Sequence, residues 1–348
     1  MTVRALAVVP GVSGSAAVID RDQPEPAGHE ILVQAMLVGV CGTDREIVAG
    51  DYGTPPPGQR HLVIGHEAVG QALSGGDGVE AGHLVVPIVR RADPVPCESC
   101  AVGEWDMCRN GRYSEHGIKG LDGFAAEQFT VAADHVIAVP EALGDLAVLV
   151  EPASVVAKAW EQIDRIGSRA HWRPCTALVT GAGPVGLLAA LLARQRGLET
   201  HVLDLVTTGP KPALVADLGA TYHTGRIADT CPRVDVIVEC TGIGPVVLDA
   251  IAHNEPNGIV CLSGLSSGHR AVDLDAAALN RSIVLENDVV FGTVNANRRH
   301  YASAVDALVN ADPTWLGRLI TRRATLDHWQ DALEQRSDDV KVVIEITP

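Results

Sequence analysis

Thr176-Ala177-Leu178-Val179-Thr180-Gly181-Ala182-Gly183-Pro184-Val185-Gly186 is the stretch that decides the fold of this 348-residue chain. Thr176 to Thr180 is a short apolar run of the kind that forms a buried strand. The three glycines after it permit a tight turn, let a pyrophosphate approach backbone amides, and allow the next helix to pack close to the sheet. That helix, Val185 to Arg194 by its apolar spacing, adds the favourable partial charge of its N-terminus. A second strand, His201 to Leu205, carries Asp204 near its end. Strand, glycine turn, helix and acid in this order read as a dinucleotide-binding fingerprint rather than a merely glycine-rich turn, with Gly181, Gly183, Pro184, Val185, Gly186 and Asp204 as its residues. Outward from it, a helix around Ala213–Leu218 and strands at Val234–Glu239, Gly258–Ser263 and about Asp288–Val294 continue the alternation. Such alternation predicts a doubly wound parallel sheet. A helix at His300–Val309 and a strand-like tail, Val340–Ile346, complete the pass.

The preceding half has another texture. It is rich in Gly and Pro, with short β-like runs at Ile31–Val40, Leu84–Val89 and Val131–Val139, which predicts an irregular, mainly β unit. Two domains also suit the length. At 47% AVILMFWYC and 20% charged residues the chain has the apolar content of a globular protein and not of a disordered one. A net charge of −16, with no Lys/Arg-rich run, argues against nucleic acid and anionic lipid as partners. No apolar run approaches the length of a membrane span, and the apolar stretch Ala5–Val9, stopped by Pro10, is too short for a signal-peptide core. A cytoplasmic location is the expectation. Eight cysteines in a reducing compartment are poor disulfide candidates. Three of them, Cys97, Cys100 and Cys108, crowd together as metal ligands do.

Chemistry concentrates in three segments: Cys41-Gly42-Thr43-Asp44, Gly65-His66-Glu67, and Glu151-Pro152-Ala153-Ser154-Val155. A thiolate, an imidazole and a carboxylate suit zinc, and three protein ligands leave a fourth position open for water or substrate. Singly, each has a plainer reading: Cys41 as a small buried hydrophobe, His66 as a hydrogen-bonded core residue, Glu67 and Glu151 as surface acids.

Taken together and in this order with the glycine fingerprint, these segments resemble the zinc-dependent medium-chain dehydrogenase/reductase family over essentially the whole chain. A narrower likeness is to its glucose 1-dehydrogenase branch, carried by Gly65-His66-Glu67-Ala68-Val69-Gly70, Val89-Arg90-Arg91, Glu115-His116-Gly117-Ile118, Leu149-Val150-Glu151-Pro152 and Val294-Asn295. The resemblance implies a GroES-like, mainly β catalytic domain over 1–165 and 294–348, interrupted by a Rossmann dinucleotide-binding domain over 166–293. It implies a catalytic zinc on Cys41 and His66, with Glu67 and Glu151 as exchangeable carboxylate ligands, and Thr43 as the hydroxyl beside the reacting alcohol. Glu115, Glu151 and Asn295 match positions that bind sugar hydroxyls in this branch; on the residues alone, Glu115 could equally be a loop acid and Asn295 a turn residue. Leu262, Ser263, Gly264, Thr293, Val294 and Asn295 match positions near the nicotinamide.

The cysteine lobe departs from the family's four-cysteine pattern: the first position falls on Pro94, and Asp93 is the candidate replacement beside Cys97, Cys100 and Cys108. A structural zinc there and a lobe held by packing alone are equally open. The expected activity is oxidation of a glucose-like aldose at C1 to the lactone, with hydride transfer to NAD(P). A polyol or other secondary-alcohol dehydrogenase, and a catalytically silent nucleotide-binding redox sensor, are the alternatives. Asp204 can accept hydrogen bonds from ribose hydroxyls and would repel a 2′-phosphate, which favours NAD over NADP; Lys211, seven residues on, points the other way. A homo-oligomer, dimer or tetramer, completes what the resemblance implies.

Overall fold

The computed structural model describes residues 1–266 and 271–346, and the chain divides into two compact units, Met1–Ser154 with Asn295–Pro348, and Val155–Val294. Among its described residues the central unit holds six strands: β1 (Thr176–Thr180), β2 (Glu199–Leu203), β3 (Thr221–His223), β4 (Val234–Glu239), β5 (Asn254–Leu262) and β6 (Val289–Gly292). All are parallel, in the order β3-β2-β1-β4-β5-β6. Chain order therefore reverses between β1 and β4, where open α/β sheets bind ligands at the carboxyl ends of their strands.

The apolar runs read from the sequence become the middle of this sheet, with Ala177, Leu178, Val179, Ile237 and Val260 wholly buried. Pro184 opens the helix Pro184–Gln195, where its missing N–H costs nothing, and every residue from Gly186 to Ala193 is buried. The short β3 escapes sequence reading because Thr-Tyr-His carries no apolar run. β5 begins four residues before the expected Gly258, and a register shift against Val234–Val236 accommodates the extra length.

One expectation is corrected. The irregular β texture does not extend to residue 165, because Val150–Gly167 is an 18-residue helix. Buried Val150, Ala153, Val156, Ala157, Trp160 and Ile163 mark its helical period. Pro152, which reads as punctuation, stands in its first turn, where proline is tolerated. Likewise Val131–Val139 is not one run: strand Gln128–Ala132 and strand Val136–Ala138 are separated by a 3-10 turn at Ala133–His135.

In the other unit, the main sheet runs in the order Val136–Ala138, Leu84–Pro87, Glu67–Ala72, Glu30–Val40, Lys341–Glu345, Ile320–Thr325, with Gln128–Ala132 also on Glu30–Val40. Its core is aliphatic and includes Ile31, Val33, Val38, Val85 and Ile344, closed by Phe124 and Phe129 at 4.7 Å between ring centroids. Strand register sets Gly39 opposite Glu67, and Val40 opposite Val342. The ends of three neighbouring strands thus deliver Cys41, Glu67 and Lys341 to one place.

Candidate active site

Strand Glu30–Val40 ends at Cys41, which caps the helix Gly42–Ala49; the Cys41 N–H donates to Asp44 Oδ2 at 2.9 Å. Gly65 is left-handed at φ +85°, and a Cβ there would come within 2.6 Å of Val38 Cγ1, so glycine is what allows the chain to turn and present His66. The His66 ring is buried between two partners, with Nε2 at 3.1 Å from Cys41 Sγ and Nδ1 at 3.4 Å from Asp44 Oδ1. Among the described residues, neither Asp44 Oδ1 nor His66 Nδ1 has a hydrogen-bond partner; the contact between them is an ion-pair approach. Burial works against a charged imidazole, but Cys41 and Asp44 outweigh it and hold the pKa well above the ordinary histidine value. That concentration of negative field around a sulfur and a nitrogen is the environment a zinc ion occupies. One donor atom each from Cys41, Asp44 and His66 lie within 4.8 Å of one another.

Glu67 and Glu151 stand outside that 4.8 Å group. Glu67 Oε2 accepts from Lys341 Nζ, which also donates to Val40 O at 3.2 Å. Both side chains are buried, Lys341 completely. The Glu67 carboxylate lies in space that only Gly39 leaves open, since a Cβ at residue 39 would meet Glu67 Oε2 at 2.2 Å. The expected ligand role of Glu67 therefore meets a competitor, and the reason is a lysine near the other end of the sequence. Burial opposes the Lys341 charge, yet Glu67, Cys41 and Glu151 hold its pKa above the usual lysine value. Glu151 is buried, and desolvation reinforced by Glu67 raises its carboxyl to about 7. Thr43 lies in the first turn of the helix Gly42–Ala49, half buried.

Neither Asp44 nor Lys341 takes a role from the sequence alone. The first had a signal, its place three residues after Cys41 in the Cys-Gly-Thr-Asp segment. The second had only the scarcity of lysine, four in the chain.

Glu115 and Asn295, 180 residues apart, come together: Asn295 Nδ2 donates to Glu115 Oε1 at 3.1 Å. Arg90 Nε donates to the same oxygen at 3.0 Å, and its Nη2 forms an ion pair with it at 3.0 Å. Asn295 takes φ +61°, one of the few non-glycine residues in the left-handed region, where asparagine is favoured. In the cysteine lobe the sulfurs of Cys97, Cys100 and Cys108 lie within 4.8 Å of one another. Asp93 is not in that group: its Oδ1 accepts from Val95 N at 2.8 Å, and its Oδ2 faces Arg112 at 3.3 Å.

In the central unit, Gly181 is at φ +89° and its N–H donates to Leu203 O at 2.7 Å. A Cβ on Gly186 would lie 1.8 Å from Gly181 O, whereas one on Gly183 would meet nothing within 4 Å. Gly186 thus serves packing, and Gly183 leaves space in front of the N-terminus of the helix Pro184–Gln195. Asp204 Oδ2 accepts from Ala182 N at 2.7 Å and Oδ1 from Val206 N at 3.0 Å, with Lys211 Nζ 3.5 Å away. Leu262, Ser263 and Gly264 lie at the end of β5; the N–H groups of Ser263 and Gly264 donate to Glu239 O, and Thr293 N–H donates to Leu262 O. Val294 next to Thr293 is exposed and its carbonyl accepts from Lys158 Nζ at 3.0 Å.

A parallel sheet with this glycine turn, joined in one chain to a β unit carrying a Cys–His donor pair, defines a nicotinamide-linked alcohol dehydrogenase architecture. The chain belongs to the zinc-dependent medium-chain dehydrogenase/reductase family, in its glucose 1-dehydrogenase branch. Residues 27–141 match the alcohol dehydrogenase GroES-like domain and residues 144–346 the glucose dehydrogenase C-terminus. Glucose 1-dehydrogenase of Methanocella arvoryzae is 40% identical over 99% of both chains, and glucose 1-dehydrogenase 2 of Vulcanisaeta moutnovskia is equally so. The solved structure of Haloferax mediterranei glucose dehydrogenase in complex with NADP, Zn and gluconolactone aligns with a TM-score of 0.92 at 32% identity, covering 99% of both chains. The expected preference for NAD is not sustained by these findings. That relative holds NADP, and the Asp204 carboxylate is engaged by two backbone amides with a lysine alongside, so it is not the bare acid the sequence argument assumed. Among the described residues no helix is long and apolar enough to cross a membrane.

Proposed function

We propose that the chain oxidises a glucose-like aldose at C1 to the lactone, with zinc bound by Cys41 and His66 and hydride passing to a nicotinamide dinucleotide, NADP included. One observation carries the sugar reading: the unit with the Cys–His pair also holds a buried carboxylate, Glu115, joined to the amide of Asn295. A site for a simple alcohol has no need of such a pair, whereas a site built for hydroxyls discriminates against substrates that leave its polar groups unsatisfied.

When bound, zinc supplies Lewis-acid polarisation of the substrate hydroxyl and lowers its pKa. Asp44 fixes the His66 ring so that Nε2, the nitrogen beside Cys41 Sγ, faces the metal position. Thr43 takes the proton released from the substrate hydroxyl and passes it outward. Glu151 completes the donor set or accepts from a second sugar hydroxyl, and Glu67 balances Lys341. The glycine turn and the open space at Gly183 receive the pyrophosphate, and Lys211 meets a 2′-phosphate beside Asp204. In the cysteine lobe, Cys97, Cys100 and Cys108 offer three thiolates to a structural zinc, with the fourth position left to a ligand other than Asp93 in its present orientation.

The test is a panel of aldoses, open-chain polyols and simple alcohols with NAD and with NADP, monitored by the absorbance of the reduced nicotinamide. Aldose turnover, lost together with bound zinc in Cys41→Ser and His66→Ala while dinucleotide affinity persists, is the expected result. Preference for an open-chain polyol selects the polyol reading, and zinc and nucleotide binding without any oxidation selects the sensor. In the same assay Lys211→Ala lowers the ratio of kcat/KM for NADP to that for NAD by up to about fivefold, roughly the worth of one partly screened charge contact. An unchanged ratio removes Lys211 from cofactor choice.

A further inference from the structure

The hydrogen bonds around Glu115 are unevenly shared. Oε1 accepts from Arg90 Nε at 3.0 Å and from Asn295 Nδ2 at 3.1 Å, and Arg90 Nη2 closes an ion pair on the same oxygen at 3.0 Å. Oε2 accepts none of these, and it is not among the buried polar atoms without a partner. Arg90 is itself fixed on every side. Its side chain is 5% exposed, its guanidinium carbon lies 3.7 Å from the centroid of the Tyr113 ring, and Nη1 donates to Asp106 O at 3.3 Å. Strand pairing of Arg90 with Glu115 sets the two backbones in register. Asp106 is anchored in turn, since its Oδ1 accepts from Asn297 Nδ2 at 2.8 Å, two residues beyond Asn295.

We propose that Arg90 is the positioning residue of sugar recognition: it saturates and orients one oxygen of Glu115 so that the other alone is presented to a substrate hydroxyl. This rests on the reading that Glu115 binds the sugar. A carboxylate pinned on one oxygen by a guanidinium fork cannot rotate to exchange its two oxygens, so a hydroxyl finds the acceptor already aimed. Lysine could replace the charge but not the two-nitrogen grip on Oε1. Arg90 touches the substrate in no step of this scheme; its effect passes through Glu115.

The test is a double-mutant cycle on the zinc-loaded enzyme, reading KM for the aldose, kcat and dinucleotide affinity, with Tm recorded for each variant. Arg90→Met is expected to raise the aldose KM about tenfold with kcat and dinucleotide affinity changed less than about twofold, and to add less than about twofold when Glu115 is already alanine. Arg90→Lys should recover part of the loss, and it carries the same cycle should the methionine variant fail to fold. Equal effects of the Arg90 variants in both backgrounds would overturn the proposal, because Arg90 would then act independently of Glu115. An unchanged KM in Glu115→Ala would instead overturn the sugar reading of Glu115, and with it the role given to Arg90.

Discussion

Lys341 has no solvent to share its charge with, and its ammonium is balanced by Glu67 at hydrogen-bond distance, with Glu151 and Cys41 contributing through the field. Removing one member of a buried ion pair leaves the other uncompensated, at a cost of about 3–5 kcal/mol. Lys341→Met should therefore lower stability by that order, and Lys341→Met combined with Glu67→Gln should recover most of it, as measured by denaturant unfolding. Additive losses in the double variant would show that the two residues do not act as a pair. Residues of this kind explain what the sequence withheld. Cys41, Thr43, His66, Glu67 and Glu151 stood out because they cluster in short motifs, each readable within five residues. Lys341 is 301 positions from Val40, whose carbonyl it meets, and no local pattern marks it. Glu115 and Asn295 were nameable only through family likeness, since their shared hydrogen bond depends on a loop-to-strand approach that periodicity does not encode.

At the level of elements, the glycine turn between β1 and its helix was legible because its chemistry is local: three glycines, a proline at the first helical position, then an apolar run. What could not be read is which glycine serves the fold and which the ligand. The geometry separates them. Gly186→Ala places a methyl 1.8 Å from Gly181 O, which forces helix and turn apart, so both Tm and dinucleotide affinity should fall. Gly183→Ala meets nothing within 4 Å, so Tm should stay within a degree or two of the parent while dinucleotide affinity drops at least about tenfold. Fluorescence titration with the reduced dinucleotide, beside thermal unfolding without it, distinguishes the two. Equal loss of Tm in both variants would contradict the assignment. The helix Val150–Gly167 shows the opposite limit of local reading, for its proline and its short polar intervals resemble loop punctuation until the 3.6-residue spacing of its buried positions is laid out.

Across the whole molecule, acidic side chains outnumber basic ones to give a net charge of −16. Glu151, held near 7 by burial and Glu67, is protonated in the folded metal-free protein at a pH where the unfolded chain has already released the proton. A raised carboxyl pKa means the folded state binds more protons between the unfolded and folded values, so stability falls as pH rises from about 4.5 to about 7, by up to ~3 kcal/mol. Glu151→Gln, which titrates nowhere in that window, should flatten this part of the curve of metal-free stability against pH. Parallel curves for the two proteins would place the acid-base dependence elsewhere.

The strand Lys341–Glu345 has a further consequence for how the molecule comes into being. It is inserted between Glu30–Val40 and Ile320–Thr325, so this sheet is completed only when a late segment meets an early one. During vectorial synthesis the Val155–Val294 unit emerges complete while the sheet that surrounds Cys41 still lacks a central member. Glu67 spends that interval without its cation, and the thiol and imidazole wait at the mouth of an unfinished sheet. On the ribosome, therefore, the buried Glu67–Lys341 pair can form only after residues 155–294 have been synthesised.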